Sequence, residues 1–271
     1  MTRPFALLPL LLPLSGCFLD ELTWEEAKAA LEEGASAGRV ETFTGGVVEI
    51  STGFTLGQAA EDAAEELRGF LESQVPCSTV TRSGFTVTMD FGTLDDQCTW
   101  NGRTYAGVTR MTLRSVEDGQ AVVEHEWVGM TDGLITLDGG AEVTWDGVAR
   151  TRQVVHEVRW TDETGAVREG SGDRIQRLLD EDQGLQGGIQ VDGERSWTGP
   201  TGDYLLDIAA VEMRPQDPVP QEGEYQLTIP SGKTATLAFH RLDADTIEVV
   251  LSGGRQDHVW HITSQGVEYQ D

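Results

Sequence analysis

Basic residues are scarce in this chain: 19 Lys and Arg stand against 46 Asp and Glu, a formal net charge of −27 over 271 residues. So few cations cannot make the broad positive face that phosphate backbones require, which excludes nucleic acid as a partner. The same deficit disfavours adhesion to anionic lipid head groups. Long apolar runs are also missing. Beyond the first residues no segment approaches the roughly 20 apolar residues that span a bilayer. No Gly-rich turn follows a strand and opens a helix, so nothing supports a nucleotide site or another cofactor. Cysteine is limited to three residues, without the C-x-x-C spacing of redox motifs. What remains is an ordinary globular composition, 38% hydrophobic and 24% charged, long enough for one large domain or two modest ones.

The amino terminus carries the most specific signal. Arg3 supplies a positive n-region, and Phe5-Ala6-Leu7-Leu8-Pro9-Leu10-Leu11-Leu12-Pro13-Leu14 is an apolar run of h-region length. It ends in Leu14-Ser15-Gly16-Cys17, which resembles the lipobox of bacterial lipoproteins. The resemblance implies cleavage before Cys17, a diacylglyceryl group on its thiol, and attachment to a membrane of the cell envelope through that lipid. The alternative is an ordinary secretory signal with a chance Cys. In enterobacterial lipoproteins an Asp after the lipidated Cys favours inner-membrane retention. Phe18 stands there instead, which points to the outer membrane. With Cys17 carrying lipid, Cys77 and Cys98 are left as an even pair in an oxidising compartment. Their bridge would close a loop of about 22 residues, worth roughly 3 kcal/mol in the chain-entropy picture.

Periodicity divides the mature chain. Thr23-Trp24-Glu25-Glu26 is a capping box, and Ala27, Ala30 and Leu31 follow at helical spacing. Val40, Phe43, Val47 and Ile50 extend a helical face over 39–50, although Gly45 and Gly46 oppose it. Thr55-Leu56-Gly57-Gln58 forms a second capping box, with Phe54 placed to staple Ala59. Leu56, Ala60, Ala63, Leu67, Phe70 and Leu71 then make an apolar stripe that Pro76 ends. From Cys77 the period falls to two. Phe85-Val87-Met89-Phe91, Ala121-Val123-His125-Trp127, Val154-His156-Val158-Trp160, Tyr225-Leu227-Ile229, Leu237-Phe239 and Ile247-Val249-Leu251 all alternate. Turn signals lie between them at Asp118-Gly119, Asp132-Gly133, Asp138-Gly139, Asp146-Gly147, Asp192-Gly193, Pro230-Ser231-Gly232 and Gly253-Gly254. About twelve strands joined this way imply a large antiparallel meander that curls into a half-barrel, closes into a barrel or splits into a sandwich.

The expected organisation is a signal at 1–16, a lipidated tether at 17–22, a helical region at 23–76 and a mainly β domain at 77–271. A sub-boundary at the Pro-rich 214–223 would set off a final four-strand unit at 223–265. The layout of lipobox, short helical region, paired Cys, an Asp90-Phe91-Gly92 strand and Trp- and Gly-rich strands resembles large myxobacterial-type lipoproteins. That resemblance implies a compartment and no activity.

Candidate chemistry is sparse. Gly34-Ala35-Ser36-Ala37-Gly38 matches G-x-S-x-G, but the nucleophile elbow needs a strand before it and a parallel sheet around it. Of the five His, His258 and His261 would point to opposite faces of a strand. His125 and His156 share faces with Trp127 and Trp160. If those faces converge, the four line either a core or a ligand pocket, and the helix at 56–74 is the expected lid. The acidic turns Asp180-Glu181-Asp182 and Asp243-Ala244-Asp245 do not fit a calcium loop, and no metal site is expected. These residues point to a lipid-anchored envelope protein with a structural or binding role and no catalytic residues. The alternatives are a carrier or docking protein for a hydrophobic ligand or an envelope protein, and, third, an envelope hydrolase.

Overall fold

A computed structural model describes residues 21–52, 60–100, 102–117 and 120–270. The protein is mostly β. Two helices, α1 (Trp24–Thr52) and α2 (Ala60–Gln74), precede fifteen strands. These are β1 (Thr79–Ser83), β2 (Thr86–Asp90), β3 (Cys98–Trp100), β4 (Arg103–Glu117), β5 (Gln120–Thr131), β6 (Ile135–Asp146), β7 (Thr151–Asp162), β8 (Val167–Leu178), β9 (Ile189–Gly199), β10 (Gly202–Met213), β11 (Glu222–Thr228), β12 (Thr234–Arg241), β13 (Ile247–Ser252), β14 (His258–Thr263) and β15 (Gly266–Gln270). Fourteen follow one another in an antiparallel meander, and β3 pairs with β4 off that path. The sheet is not closed.

The alternating runs fall on strands, but so do two of the expected turn signals. Asp138-Gly139 lies inside β6 and Asp192-Gly193 inside β9. Gly139 and Gly193 hold φ of 143° and 140°. A Cβ there would lie 2.3 Å and 2.1 Å from carbonyl oxygens of the neighbouring strand. These glycines allow close backbone approach within the sheet and do not reverse the chain. The Pro-rich segment 214–221 folds back onto the sheet. Gln221 accepts a bond from Arg241 at 2.9 Å, Asp217 pairs with Arg241, and β10 pairs directly with β11 on either side of the segment. The last unit has a fifth strand, β15, that alternation missed because only Val267 and Tyr269 mark it.

The sheet curls around α1. At its start Trp24 meets His258 of β14, with ring centroids 4.4 Å apart. Further along, Phe43 meets Tyr105 of β4 at 5.4 Å. The helix rises about 29 Å between those residues. Ten inter-strand steps would span about 48 Å if flat. One helix can reach both only because the sheet bends, so the face towards α1 is concave. Bulges assist the bend. Register shifts occur at Ala106/Val108 and Trp127/Met130, and a Cβ on Gly107 would sit 2.4 Å from the Gly129 carbonyl oxygen. The two bulges meet back to back at glycines.

The first capping box forms as read: the Thr23 N–H donates to Glu26 Oε2 at 2.8 Å and the Glu26 N–H to Thr23 Oγ1 at 3.2 Å. The helix it starts continues unbroken to Thr52. Ala27, Ala30, Ala37, Val40, Phe43 and Val48 are buried along it, and this tertiary burial outweighs the low propensity of its glycines. The α2 helix buries Ala63, Ala64, Leu67 and Leu71 and lies over β1, β2 and β4. Its expected cap at Thr55–Gln58, Phe54 and Leu56, the 118–119 turn and the whole of 1–20 including Cys17 lie outside the described residues. After α2, a Cys77–Cys98 disulfide with Cα atoms 5.2 Å apart ties the helix end to β3.

Candidate functional site

The concave face is built in rows across the strands. One row runs Met111, His125, Ala141, His156, Gly172, Arg195, Leu206 and Leu227. The next runs Thr109, Trp127, Gly139, Val158, Gly170, Trp197 and Tyr204. Large side chains sit against glycines. Trp127 faces Gly139, Trp160 and Trp197 crowd Gly170, and His156 lies over Gly172, where a Cβ would be 2.5 Å from its Cε1. The high glycine content thus makes room for aromatic and imidazole rings in a strongly curved sheet.

The sequence pairs His125 with Trp127 and His156 with Trp160, and the register puts all four on this concave face. Their exposures are 4%, 2%, 5% and 2%. They form part of the floor beneath α1, and Trp127 and Trp160 belong to the main apolar cluster with Phe43, Val40 and Leu67. All four are buried, and the two indoles pack within that apolar cluster. α1 is tied to this floor where the Ala37 carbonyl accepts from Arg195 and Glu33 meets Arg168, whereas the expected lid, α2, lies on β1, β2 and β4. Among the described residues, the buried indole N–H groups of Trp127, Trp160 and Trp197 have no hydrogen-bond partner. Their contribution is packing.

Three buried arginines, which hydrophobic patterning did not single out, share the face: Arg152, Arg174 and Arg195, at 5%, 7% and 9% exposure. Arg152 donates to Gln176 and lies over the Trp145 ring at 5.4 Å. Arg195 donates to the Ala37 carbonyl of α1 at 3.0 Å. Burial pulls the guanidiniums of Arg174 and Arg195 down to about 9 and about 10, leaving both cationic at neutral pH. Burial, with Arg152 nearby, pulls His125 down to about 4, and burial, with Arg195 nearby, does the same to His156. Both imidazoles are neutral at pH 7. A signal for Arg152 was present, since 152, 154, 156, 158 and 160 share one parity on β7. Arg174 was hidden because glycines form the inner side of β8, which therefore shows no hydrophobic alternation.

The other candidates are dispersed. Ser36 lies within α1, with no strand-to-helix elbow around it. It edges a polar cleft of about 270 Å³ with Glu32, Glu33, Arg39, Asp162 and Arg168. In that cleft Arg168 of β8 donates to Glu33 at 3.0 Å and also bonds Asp162, which clamps α1 onto the sheet. His261 approaches Glu248 at 3.5 Å and His240 approaches Glu222 at 3.7 Å. The acidic turns cap their own backbone: Asp180 accepts the N–H of Asp182 and Gln183, and Asp243 that of Asp245 and Thr246. Among the described residues no group of three or more His, Cys, Asp or Glu is placed to hold a metal ion. No helix there is long and apolar enough to cross a membrane, which leaves spanning by strands untouched. No protein-family model, curated protein or solved structure matches the chain.

Proposed function

We propose that the protein is a lipid-anchored cell-envelope protein with a structural or binding role, tethered at Cys17 and held at the outer membrane. The anchor rests on the lipobox resemblance of Leu14-Ser15-Gly16-Cys17. The observation that carries the role is the position of α1. It lies along the concave face where a hydrophobic cargo would lie, touching Arg195, Arg168 and Tyr105, and His125, Trp127, His156 and Trp160 of that face are buried. What the molecule offers to partners is therefore its outer surface and its sheet edges, and the acidic balance of the chain suits an envelope protein and not nucleic acid.

A carrier reading has one feature in its favour. The buried positions in the first half of α1 are small, Ala27, Ala30 and Ala37, and that half is held through the ion pairs Glu26–Lys233 and Glu33–Arg168. Such a helix could be displaced by an acyl chain. We favour the structural or binding role because displacement would strand the Arg168 clamp and expose the Trp floor.

Substituting Cys17→Ser tests the anchor. Wild-type protein is expected to take up radiolabelled fatty acid and partition into the detergent phase. The variant should lose the label and leave that phase as precursor or soluble protein. Undiminished labelling and partitioning of Cys17→Ser would sink the anchor.

A further inference from the structure

Beyond the start of α1 the same sheet face continues onto β14, whose residues are half-buried, and onto the largely exposed β15. Register places Trp260 opposite Tyr269 and Ile262 opposite Val267, so these side chains share one surface. Trp24 tilts over it: its ring is 4.4 Å from His258, which is 6.1 Å from Trp260 and 6.2 Å from Tyr269. The His258 Nδ1 and the Tyr269 hydroxyl are 3.1 Å apart. Trp24 is 47% exposed, Tyr269 47% and Val267 66%. The opposite side of the same strands is polar, with His261 beside Glu248. An exposed aromatic patch on one face of an edge hairpin is unusual for a solvated surface.

The chain enters the fold at this corner. Leu22 bridges Gly254, its N–H donating to the Gly253 carbonyl at 3.0 Å, and Glu21 approaches Arg255 at 3.5 Å. Cys17 is four residues before Glu21, so covalent geometry keeps its Cα within about 14 Å of that residue. A lipid on Cys17 must therefore enter the bilayer within that radius of Glu21, three residues before Trp24 of the aromatic patch.

We propose that this corner, the Trp24, Trp260 and Tyr269 rings with Val267, is a docking surface for the head-group interface of the bilayer that holds the lipid. Trp and Tyr rings favour that depth because one end is apolar and the other hydrogen-bonds. The acidic balance of the chain gives no cationic attraction, so the rings carry the contact and zwitterionic lipid suffices. The docking fixes the orientation of the sheet on the membrane: β14 and β15 lie against the bilayer and β1 lies far from it. It rests on lipidation at Cys17.

The test separates the two. With Cys77 and Cys98 bridged, a mature chain beginning at Cys17 has a single free thiol. It can be coupled to maleimide phosphatidylethanolamine in phosphatidylcholine vesicles whether or not cells lipidate it. Shallowly brominated lipids should then quench tryptophan emission, and Trp24→Phe should cut that quenching roughly twofold, as expected when the outermost ring provides much of the contact. Hydrogen exchange should slow in 258–270 on coupling and stay unchanged in 79–90. Absence of quenching together with unchanged exchange in 258–270 would overturn docking. Native protein whose Cys17 carries no lipid mass would overturn the anchor instead.

Discussion

His156 shows in one residue how this sheet resolves conflicting demands. Its imidazole occupies the volume left by Gly172 across the strand and is buried against Arg195. In that place it is neutral, as is His125, both being pulled from 6.5 to about 4. Between those values the unfolded chain binds protons at both residues that the folded chain refuses, so stability rises with pH across the window and falls as the pH drops from 6.5 to 4. At the lower end each histidine costs roughly 3 kcal/mol by linkage. Carboxylates held low, such as Glu26 at about 2 through bonds from Thr23 and Lys233, lose their contribution below 4.5, so pH 4.5 to 6.5 isolates the histidines. Urea denaturation across that range should show wild-type stability falling with acid and the His125→Gln/His156→Gln pair nearly flat. An equal slope in both proteins would mean that the imidazoles are not buried as described. The sequence displayed the shared parity of His125 with Trp127 and of His156 with Trp160. It could not show what lies above them, because burial from above depends on a helix about a hundred residues away.

At the scale of elements, α1 is the least legible part of the chain and the most consequential. Its capping box was readable at Thr23 and Glu26, but Gly34, Gly38, Gly45 and Gly46 broke the stripe beyond it. The helix persists because the curved sheet offers it a lining, a tertiary cause that propensity does not carry. Specific polar contacts then fix its position: Glu26 with Lys233, Glu33 with Arg168 and the Ala37 carbonyl with Arg195. The second is the most enclosed, with Arg168, Glu33 and Asp162 side chains 9%, 11% and 13% exposed. Arg168→Ala leaves two carboxylates in poor solvent without their cation and should lower stability by about 3 kcal/mol, whereas removing an exposed pair costs under about 1 kcal/mol. Arg110→Ala, which breaks an exposed cross-strand pair with Glu126, is the comparison. Matching midpoints for the two variants in thermal or urea unfolding would show that the clamp does not hold α1.

For the whole molecule, a meander of fourteen strands bends around one helix and stays open at β1 and β15. The mainly β class and the Cys77–Cys98 bridge were legible, because alternation and cysteine count report on local chemistry and compartment. Curvature was not, since it depends on bulges at Gly107 and Gly129 and on aromatic rings meeting glycines across strands. The central claim is that α1 is a permanent core element, and that the concave face beneath it is the protein's own interior and not a cargo cavity. Hydrogen exchange followed by mass spectrometry, with and without a long-chain fatty acid, tests this most directly. Amides in 27–48 should exchange as slowly as those of β5, β6 and β7, and the acyl chain should not change them. Fast exchange in 27–48 over a protected sheet, or loss of their protection when the fatty acid is added, would make α1 a lid and the protein a carrier.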